Sequence, residues 1–220
     1  MQLDFAPWRL SGLVLAPLMN DPAALQALGA SVAAAPYKGA PKAPVLYIKP
    51  RNTLAAADAP MVFPHGVAAL QVGGSIALVI GRTACRVRHA DALAHVAGLA
   101  LVADISVAHE NFYRPSVRFK ALDGSCRIAM PVALNGHDPD RQAVQVQVDG
   151  VRLQTAGTEG YLRSAAALIV DISAFMTLHP GDLLLLGVAH SAPLARAGQR
   201  VRLSAPDLGA IEFSIEEAAR

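Results

Sequence analysis

The dipeptide Asp149-Gly150 separates the alternating run Ala143-Val144-Gln145-Val146-Gln147-Val148 from Val151-Arg152-Leu153-Gln154, and it constrains this chain more than any other local feature. Asp-Gly tolerates the positive φ angles of a tight primed turn, the turn that matches the twist of two antiparallel strands. Valine at every second position then buries one face of the hairpin and leaves the glutamine face wet. Short strand-like runs recur at Val45 to Lys49, Ile76 to Ile80, Ala84 to Arg88, Leu99 to Ile105, Leu183 to Leu186, Arg200 to Leu203 and Ile211 to Ile215. Helical spacing is confined to three stretches. Asp21 to Leu28 opens on Asn20 and Asp21 as caps with Pro22 in the first turn, and a second stretch covers about Ala90 to Val96. Tyr161 to Met176 carries apolar residues at Leu162, Ala165, Ala166, Ile169, Ile172 and Phe175. The pattern predicts an α+β fold, richer in sheet than in helix.

A chain of 220 residues that is 53% hydrophobic and 16% charged can bury one substantial core. The stretch Pro36 to Pro44, with its prolines, Gly39 and two lysines, reads as a linker, which divides a lead segment and linker (1–44) from a single domain (45–220). The net charge of +2 arises from 19 basic and 17 acidic residues that are interspersed, which argues against a nucleic-acid partner. Cys85 and Cys126 have no C-x-x-C spacing, so buried free thiols are expected rather than a disulfide or a zinc site. The apolar stretch Leu10 to Met19 is preceded by Asp4 and interrupted by Pro17, and no run approaches a membrane span. A cytoplasmic protein without a membrane partner is the expectation. Walker, dinucleotide and nucleophile-elbow motifs are missing.

Four ordered stretches resemble the fumarylacetoacetate hydrolase family: Ile48-Lys49-Pro50-Arg51-Asn52-Thr53, Val72 to Gly81, Val96 to Ser106, and Thr177 to Asp182 followed by Leu186-Gly187. A fifth, Phe112 to Gly124, is most similar to the family's bifunctional isomerase/decarboxylases of homoprotocatechuate (4-hydroxyphenylacetate) degradation, and among those to the N-terminal-type half, which lacks metal ligands. The resemblance implies a sheet-rich mixed β-structure with a few flanking helices. It implies a dicarboxylate or tricarboxylate substrate, and a homodimer or a heteromer with a homologous metal-bearing subunit. Family members hold Mg²⁺ or Mn²⁺ through three carboxylates, a donor set suited to a hard cation. Here Gly73 and Ser75 stand at two of those positions and only Asp104 remains, so no metal is expected in this chain.

By the same resemblance Lys120 matches a lysine near the pocket, where an ammonium can pair with a carboxylate or polarise a carbonyl. Lys120 and Asp104 are therefore the candidate catalytic residues, able to move a proton between dienol and enone. Lys49, Arg51, Arg114 and Asp123 are the candidate substrate-binding residues, and Arg118 adds a further donor. Taken alone, Asp104 also suits a capping carboxylate and Lys120 a solvated strand lysine. The lid region reads Leu18-Met19-Asn20-Asp21-Pro22, without the family's histidine, and Gly187-Val188-Ala189 replaces a Gly-Thr-Pro. The seven histidines show no ligand or triad spacing. The expected activity is a subunit of a 5-oxopent-3-ene-1,2,5-tricarboxylate decarboxylase and 2-hydroxyhepta-2,4-diene-1,7-dioate isomerase. The alternatives are a non-catalytic supporting subunit of a metal-bearing homologue and an independent hydrolase of acylpyruvate-like carbon-carbon bonds.

Overall fold

The computed structural model describes residues 4–5, 8–109 and 116–218. The strands in chain order are β1 (Asp4–Phe5), β2 (Trp8–Arg9), β3 (Val14–Leu18), β4 (Val45–Lys49), β5 (Leu54–Ala55), β6 (Met61–Phe63), β7 (Leu70–Ile80) and β8 (Val96–Val107). They continue with β9 (Cys126–Ile128), β10 (Val132–Ala133), β11 (Ala143–Val148), β12 (Val151–Gly157), β13 (Leu183–Leu185), β14 (Leu194–Ala195), β15 (Arg200–Ala205) and β16 (Gly209–Glu217). The α-helices are α1 (Pro22–Ala27), α2 (Val117–Lys120) and α3 (Ala165–Ser173). Strand outweighs helix, 39% against 18%, as the α+β reading requires.

The larger sheet runs β4-β3-β13-β7-β8-β9-β5, with β14 added to β7 and β10 to β8. Its first and last strands, β4 and β5, are consecutive in the chain and separated only by the 3-10 turn Arg51–Thr53. The sheet is thereby rolled until its edges meet. Alternation along β7 and β8 sets which side chains face the inside of the roll. Ala77 and Val79 meet Ala100, Val102, Ala16, Leu183 and Leu185 there, a narrow interior filled by small and medium side chains. The opposite faces, with Val72, Ile76, Leu78, Leu99, Leu101 and Ile105, form the main core with the second sheet and α3. Both faces of β7 and β8 are buried, which is why they read as nearly continuous apolar runs rather than alternating ones.

The second sheet runs β12-β11-β15-β16-β6. Its hairpin turn has Asp149 at φ 50° and Gly150 at φ 79°, the conformation expected from the dipeptide. Val144 of β11 sits over Gly74 of β7, where a Cβ would lie 2.5 Å from Val144 Cγ1. The two layers approach closely because that residue has no side chain.

Several expectations are corrected. Val14–Leu18, within the expected lead segment 1–44, forms β3 and is hydrogen-bonded between β4 and β13. Ala84 to Arg88 is not a strand: Ala84 makes one isolated bridge to Leu178, and Arg86 turns the chain at φ 51°. Cys126 is buried but Cys85 is exposed. The stretch before Val96 is a 3-10 helix, His89–His95. The helix expected from Tyr161 starts at Ala165, because Ser164 caps it and the backbone N–H groups of Leu162 and Arg163 bond instead to Asn20. No helix among the described residues is long and apolar enough to cross a membrane.

Candidate active site

At one end of the roll, the inward positions of β7 and β8 carry Gly73 directly opposite Asp104 and Ser75 opposite Val102. Tyr47 and Lys49, two apart on β4, share a face and reach the same point across the roll. Lys49 is completely buried. Its Nζ lies 2.7 Å from Ile105 O, 2.7 Å from Lys120 O and 3.0 Å from Ser125 Oγ, and 2.7 Å from Asp104 Oδ1. Three ammonium hydrogens face three neutral oxygens and one carboxylate, so the site satisfies the lysine fully. The other carboxylate oxygen, Oδ2, accepts from the Tyr47 hydroxyl and lies 3.1 Å from Lys120 Nζ. Lys120, at the end of α2, also stands 4.6 Å from the centroid of the Tyr47 ring, a cation–π contact.

Burial alone would push the Asp104 carboxyl up, but Lys120 and then Lys49 overcome it and hold it at about 2. Burial first, and then the neighbouring carboxylate, raises Tyr47 well above the ordinary phenol value, so it stays a donor. Burial lowers the Lys120 pKa, with Asp104 pulling against it.

Lys120 and Tyr47 line a small cavity of about 80 Å³ together with Met19, Val188 and His109. It shares Ala24, Gln71, His109, His190 and Ser191 with an outer cavity of about 710 Å³ that includes Leu28, Ser31 and Tyr37. The two form one cleft with an ammonium at its inner end. Asn20 fixes the wall beside it, donating to Leu186 O (2.7 Å) and Arg163 O (3.0 Å).

Of the expected site residues, the structure brings Asp104, Lys120 and Lys49 together. Asp104 does not line the cleft; it acts on Lys120 from behind, and Lys49 is sealed among carbonyls. Arg51 and Arg118 are exposed, and Asp123 is exposed too, accepting from Asn52 Nδ2 at 2.6 Å and lining a separate cavity with Pro60 and Val62. None of these three faces the cleft. Arg114 lies outside the described residues. Sequence reasoning missed Tyr47, Gln71 and His109. Tyr47 was readable from its period-two relation to Lys49, whereas Gln71 and His109 carry no motif.

Among the described residues, the donors at this point do not suit a divalent cation. A Cβ at Gly73 would lie 2.7 Å from Val188 Cγ1 and 2.8 Å from Asp104 O, so Val188 occupies the direction a longer side chain would need. Ser75 Oγ is turned away to Gly187 O at 2.7 Å. The remaining carboxylate is already shared by two ammoniums and a phenol, and the described residues hold no cluster of three His, Cys, Asp or Glu able to bind a metal. With both lysines protonated, the floor carries one net positive charge and suits an anion.

The family description "Fumarylacetoacetate (FAA) hydrolase C-terminal" matches residues 14–216. The chain is 36% identical over 203 residues to the 4-hydroxyphenylacetate degradation bifunctional isomerase/decarboxylase of Escherichia coli, a match covering 92% of this chain and 47% of that protein. It therefore spans about half the length of the curated relatives it matches first. The stretch matched is the C-terminal half of that enzyme, which corrects the assignment to its N-terminal-type half. A mitochondrial oxaloacetate tautomerase of Arabidopsis thaliana is 27% identical over 187 residues, 82% of this chain and 83% of that one. The crystal structure of a 2-hydroxyhepta-2,4-diene-1,7-dioate isomerase from Mycobacterium marinum superposes with a TM-score of 0.78 at 23% identity, covering 96% of this chain and 77% of that chain.

Proposed function

The chain belongs to the fumarylacetoacetate hydrolase family, and from that premise we propose that it is a metal-independent tautomerase subunit in aromatic catabolism. Its partner reaction is decarboxylation of 5-oxopent-3-ene-1,2,5-tricarboxylate, carried by a homologous metal-bearing chain. Its own reaction interconverts 2-hydroxyhepta-2,4-diene-1,7-dioate and the 2-oxo isomer. The names of the relatives support this substrate class.

The observation that carries the reading is the Lys120 ammonium at the inner end of the cleft, locked by Asp104 at 3.1 Å and by the Tyr47 ring. Loss of the enol proton leaves negative charge on the C2 oxygen, and a preorganised cation stabilises that charge more than it stabilises the neutral enol. Asp104 remains a carboxylate and positions the ammonium, while the Tyr47 phenol holds the carboxylate in turn.

Purified protein should isomerise the dienol at the same rate with and without a chelator. Lys120→Met should lower kcat/KM by about 10² or more, the usual size of one lost oxyanion donor. Chelator-sensitive turnover would overturn the metal-independent assignment, and no turnover in either condition would favour a supporting subunit instead.

A further inference from the structure

We propose that Gln71 is the residue that holds the carboxylate of the substrate in this cleft, an inference that rests on the tautomerase reading above. Gln71 belongs to β7 and precedes Gly73 and Ser75 at period two, so it stands on the inward row that those residues share. Within that row Gly73 has no side chain, and Ser75 Oγ is turned away to Gly187 O at 2.7 Å. Gln71 is thus the residue of the row whose polar end meets the cleft, and it lines both the inner and the outer cavity. β7 is flanked at this point by β8 and β14, with Gln71 paired to Ser106 and to Leu194. The backbone is enclosed in the sheet, and the side chain forms the cavity wall.

Among the described residues the Gln71 carboxamide makes no hydrogen bond, and neither does the Ser106 hydroxyl opposite it in register. A half-buried polar group without a protein partner is satisfied by water or by a ligand. Gln71 is half-buried, whereas His190 and Ser191, which also line both cavities, are exposed at the rim. The Tyr47 hydroxyl is already committed to Asp104. The inner cavity therefore offers the Lys120 ammonium together with the two uncommitted N–H donors of the Gln71 amide.

A cavity of about 80 Å³ has the volume of roughly two to three water molecules. It suits the head of a 2-hydroxy acid, the C1 carboxylate with the adjoining C2 oxygen, while the outer cavity of about 710 Å³ takes the rest of the chain. That head presents neighbouring oxygens with different histories: the carboxylate is charged throughout, and the C2 oxygen gains charge only as the enol proton leaves. Lys120 shares its ammonium with Asp104 at 3.1 Å and serves the C2 oxygen, which leaves the Gln71 amide for the carboxylate. A carboxamide supplies those donors without adding charge, so the single net positive charge of the floor is matched by the single carboxylate of the head. Because the carboxylate is unchanged between enol, enolate and ketone, this contact binds all three alike and lowers KM without raising kcat. The cleft thereby selects 2-hydroxy acids over their neutral esters.

The test is calorimetric titration of the full chain with oxalate in buffer containing a chelator, oxalate being a stable dianion shaped like the head of a 2-oxo acid enolate. The wild type should bind it, and Gln71→Met should weaken binding by about 10- to 100-fold, the size of one lost hydrogen bond to a charged group. Gln71→Glu keeps the length but sets a carboxylate against the ligand; it should weaken binding at least as far, and it repeats the test if Gln71→Met unfolds. With the dienol as substrate, Gln71→Met should raise KM by a similar factor while kcat stays within about threefold of wild type. A merely structural role would instead lower the folded fraction, and with it kcat. No oxalate binding by the wild type, binding by the variants as tight as the wild type's, or a loss that falls on kcat with KM unchanged overturns the role of Gln71. Weakened oxalate binding by the variants of a protein whose wild type turns over no enol acid keeps Gln71 as an anion-holding residue and overturns the tautomerase reading itself.

Discussion

At the floor of the cleft, Asp104, Lys49 and Lys120 are enclosed and both ammoniums lie within about 3 Å of the one carboxylate, whereas at the rim the backbone N–H of His190 donates to the Asp21 side chain in one exposed hydrogen bond of 2.7 Å. The floor is made by strands that run through the core, so its geometry is settled when the sheet rolls up. The rim belongs to α1, which has no buried residue, and to the loop between β13 and β14. Substitutions at the floor should therefore be read first as folding defects, and substitutions at the rim as changes in the access and shape of the cleft.

The largest expected effect is at Lys49. Lys49→Met leaves Ile105 O, Lys120 O and one oxygen of Asp104 without their shared cation, and breaking a buried pair costs about 3–5 kcal/mol. Chemical denaturation should show that loss; a change under about 1 kcal/mol would mean that the floor is not the rigid half of the comparison. Next comes Gly73→Ala. The new Cβ meets Val188 and a backbone oxygen that cannot retreat, so overpacking should cost about 1–3 kcal/mol. Combining it with Val188→Ala should recover part of the loss, with a coupling of about 0.5 kcal/mol or more in a double-mutant cycle. Additivity would remove the steric account of why no carboxylate fits at that position.

The floor should also announce itself in acid. Asp104 has a folded-state pKa of about 2 against an ordinary value of 3.8, so its contribution is fully present above the unfolded value and disappears as pH falls through about 2. The difference amounts to roughly 2 kcal/mol at neutral pH. Denaturation midpoints between pH 5 and pH 2 should fall more steeply for the wild type than for Asp104→Asn, which has no such proton to gain. Equal slopes would show that the lysines do not hold the carboxylate as the geometry indicates.

The floor and the rim also differ in how far they can be read from sequence. Asp149-Gly150 and the alternation around it located the hairpin because that signal is local. Val45 to Lys49 was visible as a strand, and Lys49, Asp104 and Lys120 stood in recognisable stretches. That Lys49 and Asp104 touch was not visible, since three strands lie between β4 and β8 in hydrogen-bonding order and the two meet only across the rolled sheet. Arg51 and Asp123 looked equally suited to bind substrate, yet the 3-10 turn after Lys49 and the turn after α2 carry them to the surface. His109 was passed over because its place in the cleft wall is set by the end of β8 and the Phe119 ring, and no spacing rule encodes that pair.

The smallest effect belongs to the rim. Asp21 accepts from Ala23 N at 2.9 Å, capping α1, and from His190 N at 2.7 Å, tying that helix to the opposite wall. Asp21→Ala removes both bonds at an exposed site, for a cost of about 1 kcal/mol, the common value of a lost cap. Asp21→Asn keeps one of the two oxygen acceptors and should restore the cap on α1 but not the bond from His190 N. Because the floor is untouched, Asp21→Ala should raise KM for the dienol while leaving kcat within about threefold of wild type, since KM follows uniform binding and kcat follows groups that act in the transition state. If kcat falls together with stability instead, rim and floor are one cooperative unit, and the division between a folded floor and an adjustable rim fails at its weakest joint.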